Sequence, residues 1–320
     1  MIEFQDVHKT FGAKPVLAGL TLKIADAETL VIIGYSGTGK SVALKHIVGL
    51  LHPDAGDVIV DGQAVSTLDR DGLTTLRRGI GYVFQFAALF DSMTVADNLA
   101  LGLRRRGLSD EEIEDRVREA LALVDLSGTE AQLPAELSGG MRKRVGIARA
   151  IALRPRYILY DEPTTGLDPV TAAVIDRLMV RTREHLGVTG VVVTHDMRSA
   201  YTVGDRIAML YEGRIRQVGT VAEIQETEDP VVRQFIEGRP ECSARTSSPS
   251  ASWSSRRSPW WSGVPCGSPA RTAARPKRYT PRASGPSAGS GSATPWCCAA
   301  CAWGGWRRSV SRPAIGSRRT

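Results

Sequence analysis

The chemistry of this sequence concentrates first in eight residues, Gly34-Tyr35-Ser36-Gly37-Thr38-Gly39-Lys40-Ser41. They fit the pattern G-x-x-x-x-G-K-[ST], and each residue type has a reason to be there. Gly34, Gly37 and Gly39, with Ser36 among them, let backbone N–H groups curl around an anion. A helix beginning at Lys40 adds partial positive charge. Lys40 brings a full charge to the outer phosphates of a nucleotide, and the Ser41 hydroxyl suits Mg²⁺. An apolar run at 29–33 and a helical pattern after the turn supply a setting that a chance glycine turn lacks.

Two further clusters complete the inventory. The apolar run Tyr157-Ile158-Leu159-Tyr160 ends in Asp161-Glu162. Asp161 can hold a metal ion, directly or through water. Glu162, one residue on, points differently and can polarise an attacking water. The alternative, that the two are solvated charges ahead of Pro163, recedes further beside a phosphate cradle, where they read as a hydrolytic pair. In Leu137-Ser138-Gly139-Gly140-Met141, Ser138 is a natural N-cap and the glycines permit close backbone approach to an anion. A plain capped helix with two costly glycines has the same letters.

The elements that must position these groups follow from periodicity. Residues 2–8 and 16–24 alternate as strands, and 29–33 reads as a buried strand. A helix is expected from 40 to about 51, broken by His52-Pro53-Asp54-Ala55-Gly56, with strands at 57–60 and 81–85. From roughly 86 to 155 the pattern turns helical. Ser109 and Glu112 form a capping box, Ile113, Val117, Leu121 and Val124 form a stripe, and a second helix runs from near 138 to about 153. Strand 157–161, helix 169–185, strand 190–194 and a strand pair at 206–211 and 214–218 follow. Strands alternating with helices imply an α/β fold, its mainly parallel sheet covered on both faces, with the helical block inserted.

Composition divides the chain near residue 240. Every Trp and every Cys lies beyond it, where 13 Lys and Arg face a single acid, Glu241. The first 240 residues carry 28 basic and 33 acidic side chains. A body without Cys has no disulfide framework, which fits a reducing compartment. The N-terminal residues lack the charged and apolar regions of a signal peptide, and no run approaches ~18 apolar residues, so no membrane span is expected. Residues 241–320 show neither strand nor helix period. Their basic clusters near Trp are not read as a nucleic-acid site. The abrupt shift to Arg, Ser, Pro, Gly, Trp and Cys is expected of a frameshifted, disordered and non-native tail.

Together the motifs resemble the nucleotide-binding subunit of ABC transporters, whose signature is LSGGQ, over about residues 1–238. The resemblance implies an ABC ATP-binding domain at 1–239. Its fold would be a P-loop NTPase core with an N-terminal antiparallel β element and an inserted α-helical subdomain. It implies ATP and Mg²⁺ as ligands and hydrolysis by a dimer. Each ATP would lie between the phosphate loop of one copy and Ser138, Gly139 and Gly140 of a second copy. Met141 departs from the usual Gln. Gln85, ending its strand, looks like the Q-loop glutamine, which senses Mg²⁺ and water. Asp168 resembles the D-loop aspartate acting across the dimer, His195 the switch histidine at the γ-phosphate, and Phe11 the aromatic that stacks on adenine. Ser41, Gln85 and Asp161 are thereby the metal-facing set, and Glu162, His195 and Gln85 the catalytic one.

Tyr35, the run 40–46, Ala88-Leu89-Phe90-Asp91-Ser92 and the run LSGGMRKR at 137–144 look like the ATPase of Mla/Mce-type phospholipid transporters. That likeness implies an integral membrane permease, docked where residues 85–91 lie. It also implies a lipid-binding Mce-type substrate-binding protein, no nucleic acid, and a peripheral location on the cytoplasmic face of the cell membrane. An importer ATPase for an amino acid or metal chelate is the alternative. A soluble ABC ATPase fits less well, since those usually carry two ATPase domains or a long coiled-coil insertion.

Overall fold

The computed structural model describes residues 1–239; the tail expected at 240–320 lies outside the described residues. The chain opens with β1 (Ile2–Phe11), β2 (Lys14–Ile24), β3 (Thr29–Ile33), α1 (Lys40–Ile47), β4 (Ala55–Val60) and β5 (Gln63–Ala64). Then come α2 (Arg70–Arg78), β6 (Ile80–Val83), α3 (Val95–Arg104), α4 (Asp110–Leu123) and α5 (Gly139–Ala152). The last part runs through β7 (Tyr157–Asp161), α6 (Pro169–Leu186), β8 (Thr189–Val193) and α7 (Met197–Val203). It ends with β9 (Arg206–Tyr211), β10 (Arg214–Thr220), α8 (Val221–Gln225) and α9 (Pro230–Ile236).

Two sheets result. An antiparallel sheet has the order β2-β1-β4-β5, and a six-stranded sheet the order β10-β9-β3-β8-β7-β6. In the second, β6, β7, β8, β3 and β9 run parallel and only β10 is reversed. β3, β7 and β8 are buried at every residue, as strands covered on both faces must be. Side chains of β3 alternate between two cores. Val31 and Ile33 join the helical layer with Ile147, Ile158 and Ile175, while Leu30 and Ile32 face Leu44, Ile47 and the β1–β2 sheet. This period of two sends Leu159 and then Asp161 toward α1.

Several expected boundaries shift for physical reasons. α1 stops at Ile47 rather than near 51, because Gly49 adopts φ +60° and Arg77 takes the carbonyls of Val48 and Gly49 at 2.8 and 3.0 Å. That arginine belongs to α2, a helix capped by Asp69 that the periodicity did not reveal. β6 ends at Val83, so Gln85 does not end a strand but sits in the turn beyond it. Ala87 and Ala88 there take φ +59° and +48°.

α3, α4 and α5 pack on one another through the expected stripe, all of it buried. Buried Asn98 ties the segment after the turn to α3. Its Nδ2 donates to the carbonyls of Phe90, Met93 and Thr94, and its Oδ1 accepts from the Phe90 amide. Ser109 and Glu112 form the capping box.

One buried carboxyl makes stability depend on pH. Asp176 on α6 accepts from Ser199 Oγ at 3.0 Å, and its other oxygen has no partner among the described residues. Burial pushes its pKa up to about 6, with Asp196 adding to the rise and the Ser199 bond opposing it. A raised carboxyl contributes stability below the ordinary carboxylate pKa and loses it as pH climbs through the folded value. Asp176→Asn should therefore gain about 1–2 kcal/mol relative to the native chain between pH 5 and pH 8. Denaturant midpoints across that range measure it.

Candidate active site

Parallel strands all deliver their C-terminal ends to one edge of a sheet, and ligands in such folds bind there. β3 leads into Gly34, β7 ends at Asp161 and Glu162, β8 leads to His195, and β6 leads to Gln85. Gly34 is required by its surroundings: at φ +151°, a Cβ would stand 2.4 Å from the Leu210 carbonyl oxygen. Gly39, at φ +101° and the N-cap of α1, would place a Cβ 2.8 Å from Val16.

Lys40 is 6% exposed, and its Nζ donates to the carbonyls of Gly34 at 2.8 Å and Tyr35 at 2.9 Å. Burial lowers its pKa, while the charges of Glu162 and Asp161 act to keep it protonated. Ser41 Oγ donates to Asp161 Oδ1 at 2.6 Å, and Tyr82 Oη donates to Asp161 Oδ2 at 3.0 Å. Burial, reinforced by Asp161, holds the Tyr82 phenol well above its usual range, so it stays a donor.

Glu162 leaves the strand at φ +52°, its amide donating to the Val193 carbonyl at 3.0 Å. This turn swings its carboxylate away from Asp161. Its Oε2 accepts from Thr165 Oγ1 at 2.8 Å and lies 2.8 Å from His195 Nδ1. A non-glycine residue in the left-handed region costs ~1–2 kcal/mol, a strain that clusters where geometry serves chemistry.

One cleft brings together Phe11, Ser36, Gly37, Gly39, Lys40, Ser41, Gln85, Glu162 and His195. A second cleft holds Ser138, Gly139 and Gly140 with Asp168. Ser138 caps α5, accepting from the Met141 amide at 3.2 Å. Asp168 caps α6, and the bonds from Thr171 and Val170 hold its carboxyl below the usual range. Gly140 lets the two helices meet, since a Cβ would stand 2.6 Å from Thr171 Cγ2. The sequence candidates thus fall into two groups on one chain.

Other residues reach the cleft without a sequence signal. Tyr82 and Thr165 touch the two carboxylates, and Val16 lines the phosphate loop. From α5, Arg149 donates to the carbonyls of Ala87 and Ala88 at 2.8 and 2.6 Å, holding the two left-handed residues beyond Gln85. The groups facing Asp161 offer oxygen only, which fits a hard divalent cation. Among the described residues no three His, Cys, Asp or Glu gather to hold a metal by themselves.

Comparison with known proteins finds relatives of this chain. The family model described as ABC transporter matches residues 17–165. A probable ribonucleotide transport ATP-binding protein mkl of Mycobacterium tuberculosis is 43% identical over 239 residues, 74% of this chain and 67% of that one. The methionine import ATP-binding protein MetN of Xylella fastidiosa is 42% identical over 241 residues, covering 74% and 72%. The chloroplastic protein TRIGALACTOSYLDIACYLGLYCEROL 3 of Arabidopsis thaliana is 41% identical over 256 residues, covering 74% of each chain. Among solved structures, the dimeric post-hydrolysis state of the ATP-binding cassette MJ0796 bound to ADP and Pi aligns at TM-score 0.64 and 36% identity. It covers 69% of this chain and 99% of that one.

Lys40→Ala should weaken ATP binding at least about tenfold, because a buried cation is lost from the cradle. Titration calorimetry measures the affinity, and an unchanged melting temperature shows the fold intact.

Proposed function

The chain belongs to the ABC transporter family as an ATP-hydrolysing, ATP-binding subunit, and from that premise we propose that two copies close on ATP to drive a lipid transporter at the cell envelope. The observation that carries the dimeric reading is the separation of the two clefts. Ser138, Gly139, Gly140 and Asp168 line a different cleft from the phosphate loop of their own chain, and in this reading a second copy brings them to it. The MJ0796 cassette, itself described as dimeric, supports the same arrangement.

In this reading each residue has a task. The loop amides and Lys40 bind the β- and γ-phosphates, and Phe11 stacks on adenine. Ser41 and Asp161, with Gln85 from the cleft that Ser41 lines, would hold Mg²⁺, which supplies positive charge to the phosphate oxygens when bound. Glu162 orients water for in-line attack and accepts its proton. His195, 2.8 Å from Glu162, meets the γ-phosphate, and the opposite Ser138 stabilises the charge that develops. Strain at Glu162 keeps the carboxylate aimed before the reaction begins.

Transport follows from the surface around Gln85. Phe86 is 84% exposed and Phe90 52%, beside exposed Phe84. Aromatic side chains left in water mark a contact surface, and a permease helix is the partner assigned to it here. No helix among the described residues is long and apolar enough to cross a membrane. The chain is therefore proposed to sit peripherally on the cytoplasmic face, held by its permease and working with an Mce-type lipid-binding protein.

Tyr35 and the LSGGMRKR run support a phospholipid substrate, and a relative named for a glycerolipid supports a lipid more broadly. The likeness to a methionine import subunit favours an amino acid as the second reading. Glu162→Gln should retain ATP binding, lose turnover by about a hundredfold or more, and accumulate a closed dimer on size-exclusion chromatography; retained turnover refutes its role. Reconstituted in proteoliposomes with its permease, the chain should use ATP to move labelled phospholipid. Movement of labelled methionine alone would replace the lipid reading.

A further inference from the structure

The helix that begins at Ser138 also reaches the loop that carries Glu162. Lys143, in the second turn of α5, is half-buried, and its Nζ donates to the carbonyls of Pro163 at 2.8 Å and Thr165 at 2.7 Å. Pro163 and Thr164 are buried, so carbonyls in this loop need protein donors in place of water. An ammonium makes the stronger, charge-assisted bond. The residue it holds, Thr165, in turn donates its hydroxyl to Glu162 Oε2 at 2.8 Å. Glu162 itself sits in a left-handed conformation that depends on its surroundings to persist.

We propose that Lys143 is a positioning residue for Glu162: it straps the 163–165 loop to α5 and, through Thr165, fixes where the carboxylate points. The inference rests on the water-orienting role read for Glu162. Lys143 does not itself line the cleft that holds the phosphate loop and reaches it only through the Thr165 carbonyl, so its effect belongs to the chemical step and not to nucleotide affinity. The same helix carries Ser138 and Gly140 into the other cleft. One rigid element thus joins the half-site offered to a second copy with the carboxylate that works in its own cleft.

Steady-state ATPase assays on the full chain test this. Lys143→Met should lower kcat by about tenfold to a hundredfold while KM for ATP stays within about twofold, since a misaimed group costs rate and not binding. Lys143→Arg, which keeps two donors and the charge, should restore most of kcat. Thr165→Val should also lower kcat, and the double variant should be no worse than Lys143→Met, as for two links of one chain. Normal kcat in Lys143→Met overturns the proposal, as does a loss confined to KM or a failure of Lys143→Arg to rescue. Should Lys143→Met not fold, Thr165→Val keeps both carbonyl bonds and still decides: unchanged kcat there overturns the link. Glu162→Gln separates the two readings. If it stays active, the role of Glu162 falls and the proposal with it; if it is inactive while Lys143→Met turns over normally, only the proposal falls.

Discussion

Burial of parallel strands on both faces is the constraint from which the rest of this structure follows. β3, β7 and β8 bury every residue, so most of their side chains can only pack, with Asp161 at the last position of β7. Polar chemistry must then begin where the strands stop, and parallel strands stop along the same edge. The phosphate loop, Asp161, Glu162 and His195 are neighbours for that reason, although up to 161 positions separate them in the chain. The hydrogen bond from Ser41 to Asp161, spanning 120 positions, is the product of this convergence.

The second organising element is α5. It begins at Ser138 in one cleft and passes Thr171 at the distance only Gly140 allows. Along its length it sends Lys143 and Arg149 to the loops beyond β7 and β6. Those loops hold the left-handed residues, Glu162 in one and Ala87 and Ala88 in the other. Strained backbone next to a rigid helix is a way of keeping loops in one conformation when their own preferences would not.

Much of the site was legible in the sequence because its residues act through local backbone geometry. The phosphate loop needs glycines at fixed spacing and a helix behind them, and both are local. The Ser109–Glu112 capping box and the stripe from Ile113 to Val124 depend on nothing beyond a few turns of helix. Boundaries failed where a distant side chain intervened. α1 lost its last turn to Arg77, and the strand expected at 81–85 ended early because the turn after Val83 is held by Arg149. α2 escaped notice because it is short and its apolar face is only Leu73 and Leu76, partly buried against the core, too few to set a period.

By itself, then, the sequence determined the cradle, the two carboxylates, the capped glycine pair and the alternation that builds a buried sheet. Each of these is written in residue types at short spacing. Tertiary structure alone decided how they combine. It put Tyr82 on Asp161 through the register of β6 with β7, and Thr165 and His195 on Glu162 through the turn at φ +52°. It also placed Ser138 and Asp168 in a cleft apart from Lys40. Strand order and the packing of α5 against α6 set those distances. Both arise from long-range burial that no local spacing records.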